Sequence, residues 1–454
     1  MRIDLLVHAY PPDSLGGTEL YTQRLAEGLR ARGYVVRVLT YAPERRVSTR
    51  PAGVKEVGVP GAPDVRRLTF SLDDTDNPLR DEYDNPRVAR YLRALWADER
   101  PDIVHVTHCG YLSSAPLQVA AELGIPTVVT LTDLWALCPV GTLLRHNGSL
   151  CAGPRQVGAC ARCVAHMGPR GQRFARLADA LPVWAFGAAA DLAELPLLGR
   201  ARYARWLHAL RQRSTIIRER MVTARALLSP SRFQIAMLER NGYPTGAIRW
   251  MPHGIPAPET LRRGTTCHAP TMRLGYIGPL APHKGAHLPL EAFVRLGAGT
   301  QATLTYWGTL PGMGNSATEV YGRALLEHIR HTPGAAHRGP FDNQEIARVL
   351  DEIDVLIVPS LWYENTPTII YEALAHGTPV LGSDQGGVKE LVELYAGGWL
   401  YPRGDVTALT ERLRTLLADP ASVQRVAEGI RPVPDMADHI AEVAAIYEQE
   451  LHGR

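Results

Sequence analysis

At 454 residues the chain is long enough for two or three domains, each with a core of its own. With 45% apolar and 21% charged residues its composition is that of a soluble globular protein, not a disordered or fibrous one. A net charge of +3 excludes the basic footprint of a nucleic-acid binder, so no nucleic-acid partner is expected.

The N-terminus MRIDLLVHAY is too short and too acidic for a secretory leader. No charge-free apolar run approaches the ~20 residues a spanning helix needs, so a cytoplasmic protein is expected. From residue 1 to about 135 short apolar runs (IDLLVHAY, VVRVLTYA, DIVHVTH, TVVTLTD) alternate with helical patterns such as GTELYTQRLAEGLRARG. That alternation predicts parallel strands with crossover helices. YPPDSLGGTE places Gly16 and Gly17 between the first strand and its helix, where paired glycines let backbone amides approach a phosphate. DDTDN carries Asp74 and Asp76 at a spacing that could hold a divalent ion, but no strand leads into it and it reads as a solvated turn. Three polar groups sit at strand ends. His105 and His108 follow one strand, and Asp133 follows another. Each suits either a structural role or contact with a substrate.

Residues 136–228 break the rhythm and read as a Cys-rich, Arg-rich helical insertion within an N-terminal domain of residues 1–250. Cys138, Cys151, Cys160 and Cys163 occur within 26 residues, the last two as C-A-R-C. In a chain without a leader such a set points to metal more than to a disulfide framework, and a structural zinc fits the close pair plus two further thiols. An iron–sulfur cluster or two disulfides remain open. Cys109 and Cys267 read as ordinary thiols. From Arg155 to Arg220 there are twelve arginines and four acids, an excess of +8 that exceeds the charge of the whole chain. Two readings stand for these helices: an amphipathic face that touches an anionic membrane, at the inner face, or a lipid-diphosphate acceptor, and a helical cap with solvated arginines.

A Pro-rich linker, 251–271, leads to a second alternating series over 272–430 (MRLGYIG, ATLTYWG, DVLIVPS, PVLGSD), and residues 431–454 read as a terminal helix that could dock on either domain. The fold class expected is therefore α/β, with two doubly wound, Rossmann-like parallel sheets. Only three lysines, Lys55, Lys284 and Lys389, stand among the 49 basic residues. Lys284, in the Gly-bounded loop YIGPLAPHKG, is placed where a point charge on a phosphate is useful. SDQGGVKE adds a second glycine pair.

The stretch ENTPTIIYE, Glu364 to Glu372, follows the apolar VLIVPS. Thr366 is expected as helix N-cap with Pro367 at the first helical position, and Gly377 and Pro379 stop the helix. Ile369 stands where a capping box would have an acid, which leaves the first-turn amides open to an anion. Glu372 shares a face with Thr368 and Ile369, whereas Ile370, Ala373 and Leu374 face the sheet. A capped helix with two solvated glutamates is one reading. The other is a diphosphate site with Glu372 beside an attached ribose and Glu364 beyond the far side.

Taken in order, LGGTE, GPL(x)3KG, PS(x)3ENTP(x)4EALAHGTPV and GG(x)2EL closely resemble glycosyltransferase family four, retaining enzymes of the GT-B fold, over most of the chain outside the insertion. The resemblance implies two domains facing across a cleft and a nucleotide-diphosphate sugar donor. It implies that Glu372 holds the ribose, Glu364 with Asn365 the donor sugar, and Lys284 with the amides around Thr366, Pro367, Thr368 and Ile369 the diphosphate. Gly16 and Gly17 would close on that diphosphate, and Phe341 would lie by the base. It further implies metal-independent front-face transfer to a glycan, a lipid-linked or a small-molecule acceptor, in making a cell-surface glycan or a glycosylated metabolite. Two positions depart from the pattern. Pro279 replaces an arginine beside the lysine, and Thr132 replaces a strand-end histidine, so His108 and Asp133 become the acceptor-side candidates. Rival readings are a nucleotide-sugar epimerase or phosphorylase, and a zinc-bearing interaction protein on an inactive scaffold.

Overall fold

The computed structural model describes residues 1–43, 53–59, 62–72, 75–167, 175–192, 202–257, 271–297, 299–310 and 317–452. Asp74 and Cys267 lie outside them, and Asp76 is exposed. The chain forms two compact units, Met1–Pro252 with Ala437–Arg454, and His253–Met436.

The first unit is built on β1 (Arg2–Val7), β2 (Val35–Pro43), β3 (Lys55–Val59), β4 (Ala62–Phe70), β5 (Ile103–Val106), β6 (Thr127–Thr130), β7 (Ala226–Ser229) and β8 (Ile248–Trp250). Their order is β3-β4-β2-β1-β5-β6-β7-β8, parallel throughout except for the β3–β4 pair. Strands β5, β6 and β7 are buried along their whole length, as a sheet covered on both faces requires. Asp4 is the buried acid of β1: Arg37 Nε and Nη2 donate to it at 2.9 and 2.7 Å and Trp96 Nε1 at 2.8 Å, which satisfies the carboxylate.

The segment 136–228 does not stand apart from this sheet. Its long helix, Arg202–Met221, is the crossover from β6 to β7, and β7 itself is a sheet strand. Nor are all its arginines solvated. Arg213 is 3% exposed and donates to Glu82 Oε2 at 2.9 Å, and Arg220 pairs with Asp84. No helix among the described residues is long and apolar enough to cross a membrane.

The terminal helix, Met436–His452, packs on the first unit. Tyr21 Oη meets His439 Nε2 at 3.0 Å, and Gly28 makes room for Ile440, whose Cδ1 would lie 2.1 Å from an added Cβ. His105 belongs to this anchorage. Fully buried between Tyr447 and Thr130, with its pKa lowered by burial to about 3, it is a neutral structural group and not a substrate contact.

The second unit carries β9 (Met272–Ile277), β10 (Ala302–Trp307), β11 (Ala335–Gly339), β12 (Val355–Val358), β13 (Val380–Ser383) and β14 (Gly398–Tyr401), all parallel, in the order β11-β10-β9-β12-β13-β14. The strand period of two shows in β12, where Val355 and Ile357 enter one core and Leu356 and Val358 the other. Ile255, in the expected linker, joins the second core and bridges to Asp435. Connections leave in opposite senses from β1 and β5 in the first sheet and from β9 and β12 in the second. These are the switch points where such sheets open a crevice.

Candidate functional site

In the second unit the loops after β9 and β12 meet at Lys284 and Glu364. Lys284 ends a single turn, Pro282–Lys284, held by Gly285 at φ +67°, where a Cβ would fall 2.1 Å from Pro359 O. Its Nζ donates to Glu364 Oε1 at 2.8 Å and lies 4.8 Å from the Trp362 ring centroid. Ser360 Oγ and Trp362 Nε1 donate to the same oxygen at 2.8 and 2.7 Å. Burial works against ionisation of Glu364, but the Lys284 charge and these donors outweigh it, so the carboxyl stays below its ordinary range. His283, beside Trp362, is driven down to about 4 by burial and by Lys284, which keeps it neutral. The loop is tied further by Gln385 Nε2, bonded to Ser360 O and Trp362 O, and by Arg403 Nε, which donates to Leu361 O at 2.7 Å.

The helix after Glu364 runs Thr368–Ala375. It begins one residue later than expected. Pro367, at φ −65° and ψ 112°, is the N-cap, and its carbonyl takes the Ile370 amide at 3.0 Å. Thr366 does not cap: its Oγ1 is buried without a partner. No side chain caps the helix, so its N-terminal dipole end is open to an anion as expected. Ile370, Ala373 and Leu374 face the core, but Tyr371 is also fully buried and Glu372 is only 9% exposed, so Glu372 is not a solvated surface group. Phe341, after β11, packs half-buried against the same core cluster.

The GG pair of SDQGGVKE is otherwise employed than expected. Gly387 N donates to Glu364 O at 2.8 Å, and a Cβ there would lie 1.6 Å from Asn365 O. Its want of a side chain serves the close approach of two loops. Lys389 pairs on the surface with Asp384. Pro279 accepts from Tyr276 Oη at 2.8 Å and brings no charge.

In the first unit Gly16 is the N-cap of the helix Gly17–Ala31, with Glu19 folded against it. His108 and Asp133, nominated separately, form one pair: Nε2 to Oδ2 is 2.8 Å. The Gly110 amide donates to Nδ1 at 2.8 Å, so the ring proton is on Nε2. Burial disfavours the imidazolium, but the Asp133 charge outweighs it and raises the pKa, while Asp133 itself is lowered. For the neutral ring, nitrogen-15 NMR is expected to show a pyridine-like Nδ1 and a pyrrole-like Nε2; the opposite tautomer would mean the Asp133 contact is not made. Thr132 Oγ1 bonds Thr107 O at 2.8 Å and ties β6 to β5.

His8 and Trp135 were not anticipated. The His8 ring lies 4.1 Å from that of His108, and burial together with the second imidazole lowers its pKa to about 3. Trp135 donates its indole N–H to Glu82, and Arg213 lies 4.8 Å over its ring. With Tyr111 and Leu72 they line a cavity of about 380 Å3 at the ends of β1, β5 and β6. His8 directly follows β1 in LLVHAY, and only the knowledge that β1 adjoins β5 would have singled it out. The four cysteines line a separate cavity of about 400 Å3.

Two family models match the chain: Glycosyltransferase Family 4 over residues 15–165 and Glycosyl transferases group 1 over residues 269–432. Glycogen synthase of Mycobacterium tuberculosis is 27% identical over 451 residues, covering 95% of this chain and 89% of the relative. Among solved structures, sucrose-phosphate synthase of Thermosynechococcus elongatus superposes with a TM-score of 0.63 at 17% identity over the whole of both chains. HepE of Anabaena, in complex with UDP-glucose, gives 0.60 at 16% identity over 99% of this chain and 100% of its own. At such identity these structures speak for the fold, the two-sheet GT-B architecture.

Proposed function

This chain belongs to the group 1, family 4 glycosyltransferases, and from that premise we propose that it moves a sugar, with retention, from a nucleotide diphosphate to an acceptor held by its first unit. The observation that carries the reading is the meeting of Lys284 and Glu364 beside the uncapped helix Thr368–Ala375. Lys284 retains N–H groups beyond the one given to Glu364, and with the helix amides it faces the charge that grows on a departing diphosphate. This is the electrostatic part that a divalent cation plays in other transferases, so the bond-making step is assigned to no metal. Arg403 is the candidate for the charge that Pro279 does not supply.

Three donors converge on Glu364 Oε1, so Oε2 is the oxygen left for a sugar hydroxyl. Glu364 then orients the sugar, and Glu372 receives the ribose hydroxyls. The anomeric carbon–oxygen bond to the diphosphate breaks as the acceptor oxygen bonds on the same face. The acceptor proton passes to the leaving diphosphate. His108 and Asp133 are assigned to the acceptor, which the cavity they line would receive as a glycan, a lipid-linked sugar or a small molecule.

UDP-sugars are the first donors to test, since HepE is a neighbour that binds one. In calorimetry against a panel of nucleotide sugars, one donor class is expected to bind. Glu364→Gln is expected to retain the free nucleotide while losing the added affinity of its sugar. Binding of no member of the panel would overturn the donor reading, and a product of inverted anomeric configuration by NMR would overturn retention.

A further inference from the structure

The four cysteines after β6 have no part in the chemistry above, yet their side chains share one cavity of about 400 Å3. We propose that Cys138, Cys151, Cys160 and Cys163 bind one zinc ion as a tetrathiolate, and that this ion shapes the wall of the acceptor cavity. The second clause rests on the acceptor reading just given; the first does not.

The sulfurs come from three stretches of chain. Cys160 and Cys163 stand one turn apart on a face of the helix Val157–Met167. Cys138 closes the turn that begins at Leu134, and Cys151 follows the Leu144–Leu150 bridge. Between Pro139 and Gln156 only Leu143 and Gly153 are buried, so this loop is ordered without a core of its own. That is the situation in which a metal supplies the cross-link.

A second observation points to sulfur as ligand. The Gly153 amide donates to Cys151 Sγ at 3.4 Å, and that sulfur meets Gly153 O at 3.3 Å. Such an amide favours a thiolate and orients it toward a metal. Zinc accepts four thiolates in tetrahedral geometry, and binding would release the thiol protons to solvent.

The link to the acceptor cavity is short. Val140, two residues after Cys138, lines that cavity with Pro139 and Gly141, and so do Val164 and Met167 from the cysteine-bearing helix. A rival ligand set lies nearby. Among the described residues, His146, His166 and Asp179 bring their ligand atoms within 4.8 Å of one another, which no three of the four sulfurs do, so zinc would have to draw the loop sulfurs in toward the helix pair. These already satisfy each other, by ring stacking at 4.6 Å and a His166–Asp179 bond of 2.9 Å.

The test uses the full chain purified without chelator, with metal content read by plasma mass spectrometry. One zinc per chain is expected in the wild type and in His166→Ala, and none in Cys160→Ser/Cys163→Ser. Replacement by cobalt(II) should show thiolate-to-cobalt charge transfer. Nucleotide binding, which belongs to the second unit, reports that the serine variant is folded. Should it fail, zinc release from the wild type by a mercurial reagent and a chelator replaces that arm. Acceptor-dependent transfer is expected to fall at least about tenfold on loss of zinc while nucleotide affinity is retained. Zinc kept by the serine variant and lost from His166→Ala would move the metal to the histidines, and iron with sulfide would overturn zinc. Unchanged transfer after zinc loss would overturn the role at the acceptor cavity while leaving the metal site itself established.

Discussion

Lys284→Ala is expected to lower kcat/KM by about a hundred- to a thousand-fold, the usual effect of removing one preorganised group that faces developing charge. The same substitution tests the pair with Glu364 through stability. Glu364 is 8% exposed and would keep only Ser360 and Trp362 as donors to Oε1. Breaking a buried pair from one side costs ~3–5 kcal/mol. The Lys284 side chain is 26% exposed, which places this case at or below the lower end of that range. The pH dependence should change sign. In the wild type the carboxyl pKa is depressed in the fold. The group therefore stabilises above its unfolded pKa and loses that contribution as pH falls through the folded value. Without Lys284 the largest influence, burial, raises the pKa against only the Ser360 and Trp362 donors, and the protein should gain stability as the group takes up a proton. Chemical denaturation from neutral to mildly acidic pH would show it. A variant with the wild-type pH dependence would mean that Lys284 does not hold Glu364 in solution.

The central strands were legible because a two-sided parallel sheet demands unbroken apolar runs, and VLIV, TVVT and IVHV are such runs. The outer strands were not. KEVGV of β3 is almost wholly exposed and AAHRG of β11 half so, and neither carries the pattern. β7, ALLS, was hidden by its basic surroundings. At the site the residue types were legible but the contacts were not. Lys284 and Glu364 are 80 positions apart, and nothing local says that they share a proton donor and acceptor. Ser360 and Trp362 sit four and two residues before Glu364, in PSLWYE, yet their convergence on one oxygen depends on how the loop turns after β12. His108 and Asp133 were each nominated for the acceptor without being seen as one pair, because pairing required β5 to lie next to β6.

The glycine pair after β13 separates a phosphate-cradling turn from a packing constraint, and the two variants should differ. Gly387→Ala places a Cβ 1.6 Å from Asn365 O and 3.0 Å from Glu364 O, both backbone atoms, so the loop or the helix Gly386–Leu394 has to shift. Overpacking against side chains costs ~1–3 kcal/mol, and a backbone obstacle that cannot rotate away sets this substitution at the top of that range or above. The shift also breaks the bond from Gly387 N to Glu364 O, 2.8 Å, and so moves the carboxylate that meets Lys284. Gly386, at φ +52°, is different. Alanine there pays for a left-handed backbone, about 1–2 kcal/mol. Thermal denaturation and nucleotide-sugar calorimetry on both variants decide the matter. Gly387→Ala is expected to lose both stability and the sugar's contribution to binding, and Gly386→Ala to lose stability alone. If instead Gly386→Ala abolished nucleotide binding while Gly387→Ala retained it, the pair would be cradling the diphosphate, and the close approach at Asn365 would be incidental.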